Sequence, residues 1–530
     1  MGVWSSINAA LQLKGGGGPN HWKNLDLTPL PVDLRTWKDL DFVGLWSTAF
    51  VTIFGWQGVS ALLSMGLSVW QAIVCNFVAK LIQIAVVIGA VWHIGFSVNA
   101  RQSFGLRGSY VPLIIRVCLC CVWFGVQAFT GGQLVSTLLS SIFSGYQNME
   151  NTLPASASMT TKEFIGLVIF NIICIPFLYI PPHKLRIPFR YTLTISAITL
   201  IGMSIGLMAA AGGAGPLVHT GVTVNGGSQL GWAWIHGITT VIGGTVVGST
   251  SQCDFSRFAR RPGNQFKGQI FALLFFGNVI PVFGLLGTSA ASKLYGDVTE
   301  LVLWNPPNII QTWLDRDYHN PKIRAATFFV SLGLTCSMVA INTVENGISG
   351  GMDAAGLLPR YINIRRAKAT TFTAVLSSFG VILGPLIAVF TCDYFFVRHQ
   401  KVKLTDLFQP SSQSIYWFWH GVNWRGFLSW LVGTAPFLPG LASLNPKTAD
   451  NIPIGLTQAT YTGFLCGYVI SFTLHYVLNK VSPPPGLGAF DVTDTFGTFS
   501  YEEAEKLGIR TLETDMPYES GAVYPNKGLE

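Results

Sequence analysis

Apolar runs of about 18 to 25 residues recur along almost the whole chain, and this restricts its fold more than any other feature. As a helix, each run is long enough to cross roughly 30 Å of hydrocarbon. Inside a bilayer no water is available to satisfy backbone N–H and C=O groups, so a chain with many such runs folds as a helix bundle. Composition points the same way: 50% of residues are hydrophobic and 11% charged, against roughly 25% charged in a soluble chain. Mean hydropathy is +0.45. Candidate spans fall at 42–65, 67–93, 109–143, 162–181, 190–211, 230–252, 267–291, 325–357, 370–396, 426–444 and 457–478, about 11 in all. The expected fold class is all-α, a polytopic transmembrane bundle seated in a lipid bilayer. Residues 1–41 form the N-terminal segment, 42–480 the transmembrane domain and 481–530 a tail.

The start "MGVWSSINAALQLKGGGG" has neither the charged start nor the apolar core of a signal peptide. Met1-Gly2 with Ser6 fits the short myristoylation pattern. The cysteines sit in apolar runs, and the Cys118/Cys121 spacing lies on an apolar helix with no second ligand pair, so they read as small core residues. The chain shows no metal site, no nucleotide loop and no nucleic-acid stripe, and no cofactor is implied.

Lys and Arg concentrate in alternate loops. The N-terminal segment carries Lys14, Lys23, Arg35 and Lys38. Later basic loops hold Arg101 and Arg107, then Lys184, Arg186 and Arg190, then Arg257, Arg260, Arg261 and Lys267, then Arg360, Arg365, Arg366 and Lys368. The loops between them are nearly free of positive charge, except for a mixed seventh. Positive charge stays inside, so the N-terminus is expected in the cytoplasm. The pattern breaks at 370–396, which is basic at both ends because "RHQKVK" follows it. Either this segment does not cross, or a span is missing near Lys368–Thr370. The tail opens with "SPPPG", carries nine acidic residues against three basic ones, and is expected to be solvated and disordered.

Two spans hold glycines in mid-helix: Gly55 and Gly58 in the first, and Gly243, Gly244 and Gly248 in the sixth. Such glycines serve close helix packing or mark broken helices. Paired breaks at equivalent places in two halves point to a transporter with inverted repeats and a site near the midplane.

Polar residues inside the spans narrow the chemistry. Trp123 and Gln127 lie four apart on one helix face. An indole face and a carboxamide together suit a planar heterocycle with amide-like edges, although both also suit helix packing. Asn342, Glu345 and Asn346 share a face of the eighth span. A carboxylate does not face lipid without large cost, so this face looks into a cavity or a partner helix. Glu345 is therefore either a proton carrier or half of an ion pair with Lys80, which sits mid-span in "NFVAKLIQIA". Arg116 lies near its span's end and is expected to snorkel.

Six motifs occur in order: "NLDLTPLPVDLRTW", "SFGLRGS", "WFGVQAFTGGQ", "DFSRFARRP", "GGMDAAGLLPRYINIRR" and "CDYFFVR". Across roughly residues 20–480 the chain resembles the fungal uracil–allantoin branch of the nucleobase:cation symporter-1 family. The resemblance implies a bundle of twelve helices with a five-plus-five inverted repeat and broken helices 1 and 6. It implies import of a small nitrogenous heterocycle, such as uracil or allantoin, with a cation, usually H⁺, across a fungal plasma membrane. It assigns Trp123 to the stacking aromatic, Gln127 to its amide partner, Asn346 to the substrate-binding asparagine and Gly244 to the break in span 6, with Asn342 beside them. Three departures leave the ligand open: Thr245 stands where relatives often have an aromatic, "TIFGWQG" lacks asparagine, and Glu345 is unexpected before Asn346. A nucleoside or a vitamin like thiamine fits as an alternative. Relatives carry a ninth span after "YINIRR", where this chain has only Ala367, Lys368 and Ala369 before span 10. One helix is therefore expected to be missing and the last three spans strained or inverted, which makes a transport-defective product a further alternative. No HExxH, no GxSxG and no paired Asp at helical spacing supports an enzyme, and no repeated pore loop supports a channel.

Overall fold

The computed structural model describes residues 22–23, 26–85, 91–157, 159–361, 380–444 and 451–511. Among the described residues there are helices and isolated bridges but no strands. The first span is broken: α1 (Asp39–Ser47) stops, and α2 (Ile53–Trp56) restarts it. The Thr52 hydroxyl accepts the Gly55 N–H at 3.2 Å and so caps the restart. A Cβ on Gly55 would collide with the Phe50 carbonyl oxygen, so only glycine fits there. The Trp56 indole N–H then donates to Thr288 Oγ1 at 2.9 Å and pins the restarted half to the seventh span.

The second span is α3 (Val69–Ala85), followed by the short α4 (Phe96–Phe104). The long α5 (Tyr110–Ile142), α6 (Thr161–Leu178) and α7 (Arg186–Ala211) come next. Ile172, Ile198 and Phe329 point outward from the bundle, as lipid-facing side chains do. The sixth span corrects the expected break, since α8 (Gly227–Thr250) is one continuous helix through Gly243 and Gly244. Glycine there costs about 1 kcal/mol against alanine, which a packed helix tolerates. A Cβ at either glycine would meet no atom within 4 Å, so the pair opens space beside the helix instead of breaking it. The chain continues in α9 (Asn264–Phe271) and α10 (Gly277–Leu294), joined by a π-helical turn. The eighth span is α11 (Pro321–Ile341), a π-helical segment Asn342–Ile348, and α12 (Ser349–Leu357). After it come α13 (Gly380–Thr391), α14 (Trp424–Thr434) and α15 (Gly463–Val481), the last preceded by Ile454–Tyr461 at a 69° bend.

The basic loops gather at one end of the bundle, as their alternation requires. Leu30 N–H donates to the His93 carbonyl at 3.1 Å, the Trp37 indole N–H to the His183 carbonyl at 3.0 Å, and Leu106 N–H to the Tyr416 carbonyl at 3.3 Å. The opposite end is closed by contacts such as Val69 N–H to the Thr220 carbonyl at 3.4 Å. Residues that follow "RHQKVK" pack against α4, so the chain after α13 emerges at the basic end. The last spans are therefore not inverted. The expected loss of the ninth span falls on residues 362–379, which lie outside the described residues.

The tail differs from expectation over residues 482–511. Phe499, Ala504 and Ile509 are buried against Trp92, Tyr394 and Leu404. The short α16 (Tyr501–Leu507) is capped by Ser500. From it, Glu503 pairs with Arg35 at 2.7 Å and approaches His93 Nε2 at 3.4 Å. Acidic residues here are not solvated by default, because the basic end offers them partners.

Candidate functional site

Six of the eight residues singled out in the sequence line one cavity: Trp123, Gln127, Gly244, Thr245, Glu345 and Asn346. It is narrow in this conformation, with a free volume of about 70 Å³. Trp46, Gln252 and Gln269 carry it toward the basic end. A second cavity shares Phe54, Trp123 and Gly244 with the first and runs to Met65, Leu441 and Tyr461 near the opposite end. Trp123, edge-on to Phe54 at 5.7 Å between ring centroids, thus stands where the two cavities meet.

The polar side of the site is built by the π-helical segment. A π turn rotates side chains out of α register and is frequent at functional sites. Asn346 Nδ2 donates to Gln127 Oε1 at 2.7 Å and to Asn342 Oδ1 at 3.0 Å. This bridge ties α5 to the eighth span. Asn342 is fully buried and acts behind Asn346, outside the cavity wall. Gln83 Nε2 donates to Thr245 Oγ1, so Thr245 is held by α3. Gln83, Gln252 and Gln269 line the cavity as well and were not identified from the sequence. Their only signal was a lone amide near the end of an apolar run, which many lipid-embedded helices share.

Lys80 and Glu345 do not form the ion pair that was the alternative reading. The Lys80 ammonium lies over the Phe50 ring at 4.7 Å from its centroid, and Lys80 has no carboxylate partner among the described residues. The half-buried Glu345 faces the cavity, and its backbone carbonyl accepts the Cys120 thiol at 3.8 Å.

Arg116 is a second correction. It does not snorkel but is fully buried, donating to Asp254 at 2.7 Å and forming an ion pair with Asp353 at 2.9 Å. The Phe96 ring lies 4.1 Å below its guanidinium, and the Phe96 N–H donates to Asp254 Oδ1 at 2.9 Å. The triad joins α5, the chain just after α8, and α12 below the cavity. Both aspartates stood in the sequence motifs, but the side chain that would neutralise them was not apparent.

Comparison with known proteins gives the family. The model described as "Permease for cytosine/purines, uracil, thiamine, allantoin" matches residues 29–371 and 366–470. A transporter of Aspergillus oryzae is 37% identical over 572 aligned positions, covering 93% of this chain and 92% of that protein. The chain belongs to the nucleobase:cation symporter-1 family. Within the family, a thiamine transporter of Saccharomyces cerevisiae is 33% identical over 96% of this chain and 88% of its own length. The family member Mhp1, solved with bromovinylhydantoin bound, superposes with a TM-score of 0.62 at 20% identity, over 91% of this chain and 98% of its own. That likeness shows the fold. Family membership makes the chain a multi-pass membrane transporter of small molecules and not an enzyme. The 572 aligned positions also exceed the 530 residues of this chain, so the Aspergillus relative holds residues that this one lacks.

Proposed function

We propose that the protein imports a small nitrogenous heterocycle together with a cation, by alternating access across a fungal plasma membrane, with its basic end in the cytoplasm. One observation carries the reading: two cavities from opposite ends meet at Trp123, beside an amide pair able to read a planar ring edge. In this reading the ring stacks on Trp123, while Gln127 and Asn346 hydrogen-bond its edge. Gly244 leaves room for the ring, Thr245 borders it, and Asn342 holds Asn346 in place. A proton is the coupling cation and Glu345 takes it, since it is the one carboxylate among the described residues that line the cavity. Lys80 supports this indirectly by keeping its charge over Phe50 and away from that carboxylate. Uracil, allantoin and related nucleobase-like rings fit this description. So do vitamins and nucleosides, and relatives named for thiamine and nicotinamide riboside support that alternative. The test is concentrative uptake of labelled uracil, allantoin, uridine and thiamine in a transport-deficient host. Uptake of at least one is expected, and its persistence at normal affinity in Trp123→Ala would remove this site.

A second reading is a transport-defective product. Only 18 residues separate Tyr361, at the basic end, from Gly380 beside Gly243. A full crossing takes about 20 residues, and relatives place a whole span and part of the next there. Absence of all uptake by a chain that reaches the cell surface would favour this reading.

A further inference from the structure

The charge balance of the inner cavity identifies the class of ligand more narrowly. Four aromatic side chains line it: Trp46, Phe50, Phe54 and Trp123. Among the described residues that line it, Glu345 is the one charged side chain and there is no Lys, Arg or His. The other ionisable groups nearby do not supply a compensating positive charge. Lys80, on α3, is outside the wall with its ammonium over Phe50. On α5 the Cys120 thiol donates to the Glu345 backbone and not to its carboxylate. The Arg116–Asp254–Asp353 triad closes on itself and carries a formal charge of one negative. A neutral ring filling this cavity would strip water from the Glu345 carboxylate and give it no counter-charge, which is costly in a low-dielectric site. A positively charged ring removes that cost. It also gains from the aromatic faces, whose quadrupoles attract organic cations, most strongly where water is excluded. Amides at Gln83, Gln127, Gln252 and Gln269 remain for the ring's neutral substituents.

We propose that the preferred ligand is a cationic nitrogen heteroaromatic, its ring charge set against Glu345 and its face against Trp123. The inference rests on the reading of this cavity as the substrate site. Glu345 then accepts one positive charge per cycle, either a proton beside a neutral ring or the ring's own charge. Proton and cationic ligand exclude each other at that carboxylate.

The test uses matched pairs on the purified full-length protein at neutral pH: 1-methylnicotinamide against nicotinamide, and thiamine against its neutral oxidation product thiochrome. The cation of at least one pair is expected to bind at least tenfold more tightly than its neutral partner. Glu345→Gln should lower that preference by at least tenfold, and Trp123→Ala should weaken both members of the pair, the cation somewhat more. Equal or inverted preference in the wild-type protein, or failure of both cations to bind, overturns the proposal. So does a preference that survives in Glu345→Gln. If that variant does not fold, the wild-type ratio and its Glu345→Asp counterpart decide, with a preserved preference expected in Glu345→Asp. Should Trp123→Ala weaken both members while Glu345→Gln leaves the ratio unchanged, this inference fails and the site reading stands. If Trp123→Ala changes neither, the site reading fails and this inference goes with it.

Discussion

Glu345 and Asp353 lie on one span, eight residues apart, yet they are opposite kinds of buried carboxylate. Asp353 is fully buried, with the Arg116 guanidinium 2.9 Å away and Asp254 on the guanidinium's other edge. Glu345 is half-buried and has no cationic partner among the described residues. Three charged groups in one place neutralise most of each other's field and fasten three elements together. A single carboxylate left facing a cavity fastens nothing, but it is free to exchange its partner. A charged group inside a membrane protein therefore serves architecture when its counter-charge is built in, and transport when its counter-charge has to arrive.

The largest expected effect is at the triad. Arg116→Ala or Arg116→Met leaves the Asp254 and Asp353 carboxylates without their counter-charge in a buried site, which costs about 3–5 kcal/mol. Folded protein should be lost or its thermal transition strongly lowered in detergent. Replacing all three charged groups by apolar residues of similar volume should recover much of that loss. Full stability in either single variant would contradict the contrast.

Glu345→Gln should do the reverse. Its cost in stability is expected to stay within about 1 kcal/mol, because it leaves no buried cation unpaired. Accumulation of a neutral ligand against a gradient should be abolished while exchange remains measurable. Undiminished accumulation with an unchanged pH dependence would exclude Glu345 from coupling. Lys80→Ala serves as control. Loss of folded protein in both single variants, recovered in the double, would show that the two charges depend on each other after all.

A smaller effect is expected where the site is polar and neutral. Trp123→Ala removes stacking worth about 1 kcal/mol or more. Gln127→Ala leaves Asn346 and the ligand edge unpaired at roughly 1–3 kcal/mol. Ligand affinity should fall about five- to a hundredfold in titrations of purified protein, with surface expression intact.

The last concerns the tail, a third charge arrangement in which Glu503 meets the buried Arg35 and His93. Burial alone would raise the Glu503 pKa, but the His93 ring, the Ser500 N–H and the Arg35 guanidinium outweigh it and hold the carboxyl down at about 2. Burial lowers the pKa of His93. Both shifts have the same sign in their effect: docking of the tail is strongest above the unfolded values and weakens on acidification. His93 contributes first, as pH falls below its unfolded value of about 6.5, and Glu503 follows below about 4.5 and down toward 2. Glu503→Gln leaves the buried Arg35 without its carboxylate and should loosen the docked segment by roughly 1–3 kcal/mol, seen as faster proteolysis near Ser500 at neutral pH. Equal cleavage rates in wild type and variant would remove the pairing from the account of tail docking.

Much of this molecule was determined by the sequence alone, for a physical reason. Hydrocarbon thickness sets the length of a crossing helix, and backbone polarity forbids other folds there, so apolar runs and alternating basic loops suffice for a helix bundle with its basic loops at one end. The helical period placed Trp123 with Gln127, because residues three or four apart share a face, whereas the π-helical turn put Asn342 behind Asn346, outside the cavity wall. What lies across a face depends on another helix, and no period within one helix reports it. Only the tertiary structure therefore decided that Lys80 lies over Phe50, not opposite Glu345, and that Arg116 is enclosed by Asp254 and Asp353. The same holds for α8, where in the sequence Gly243 and Gly244 read as close helix packing or as a break. The neighbouring helices left space beside an intact helix, and that space joins the two cavities at Trp123.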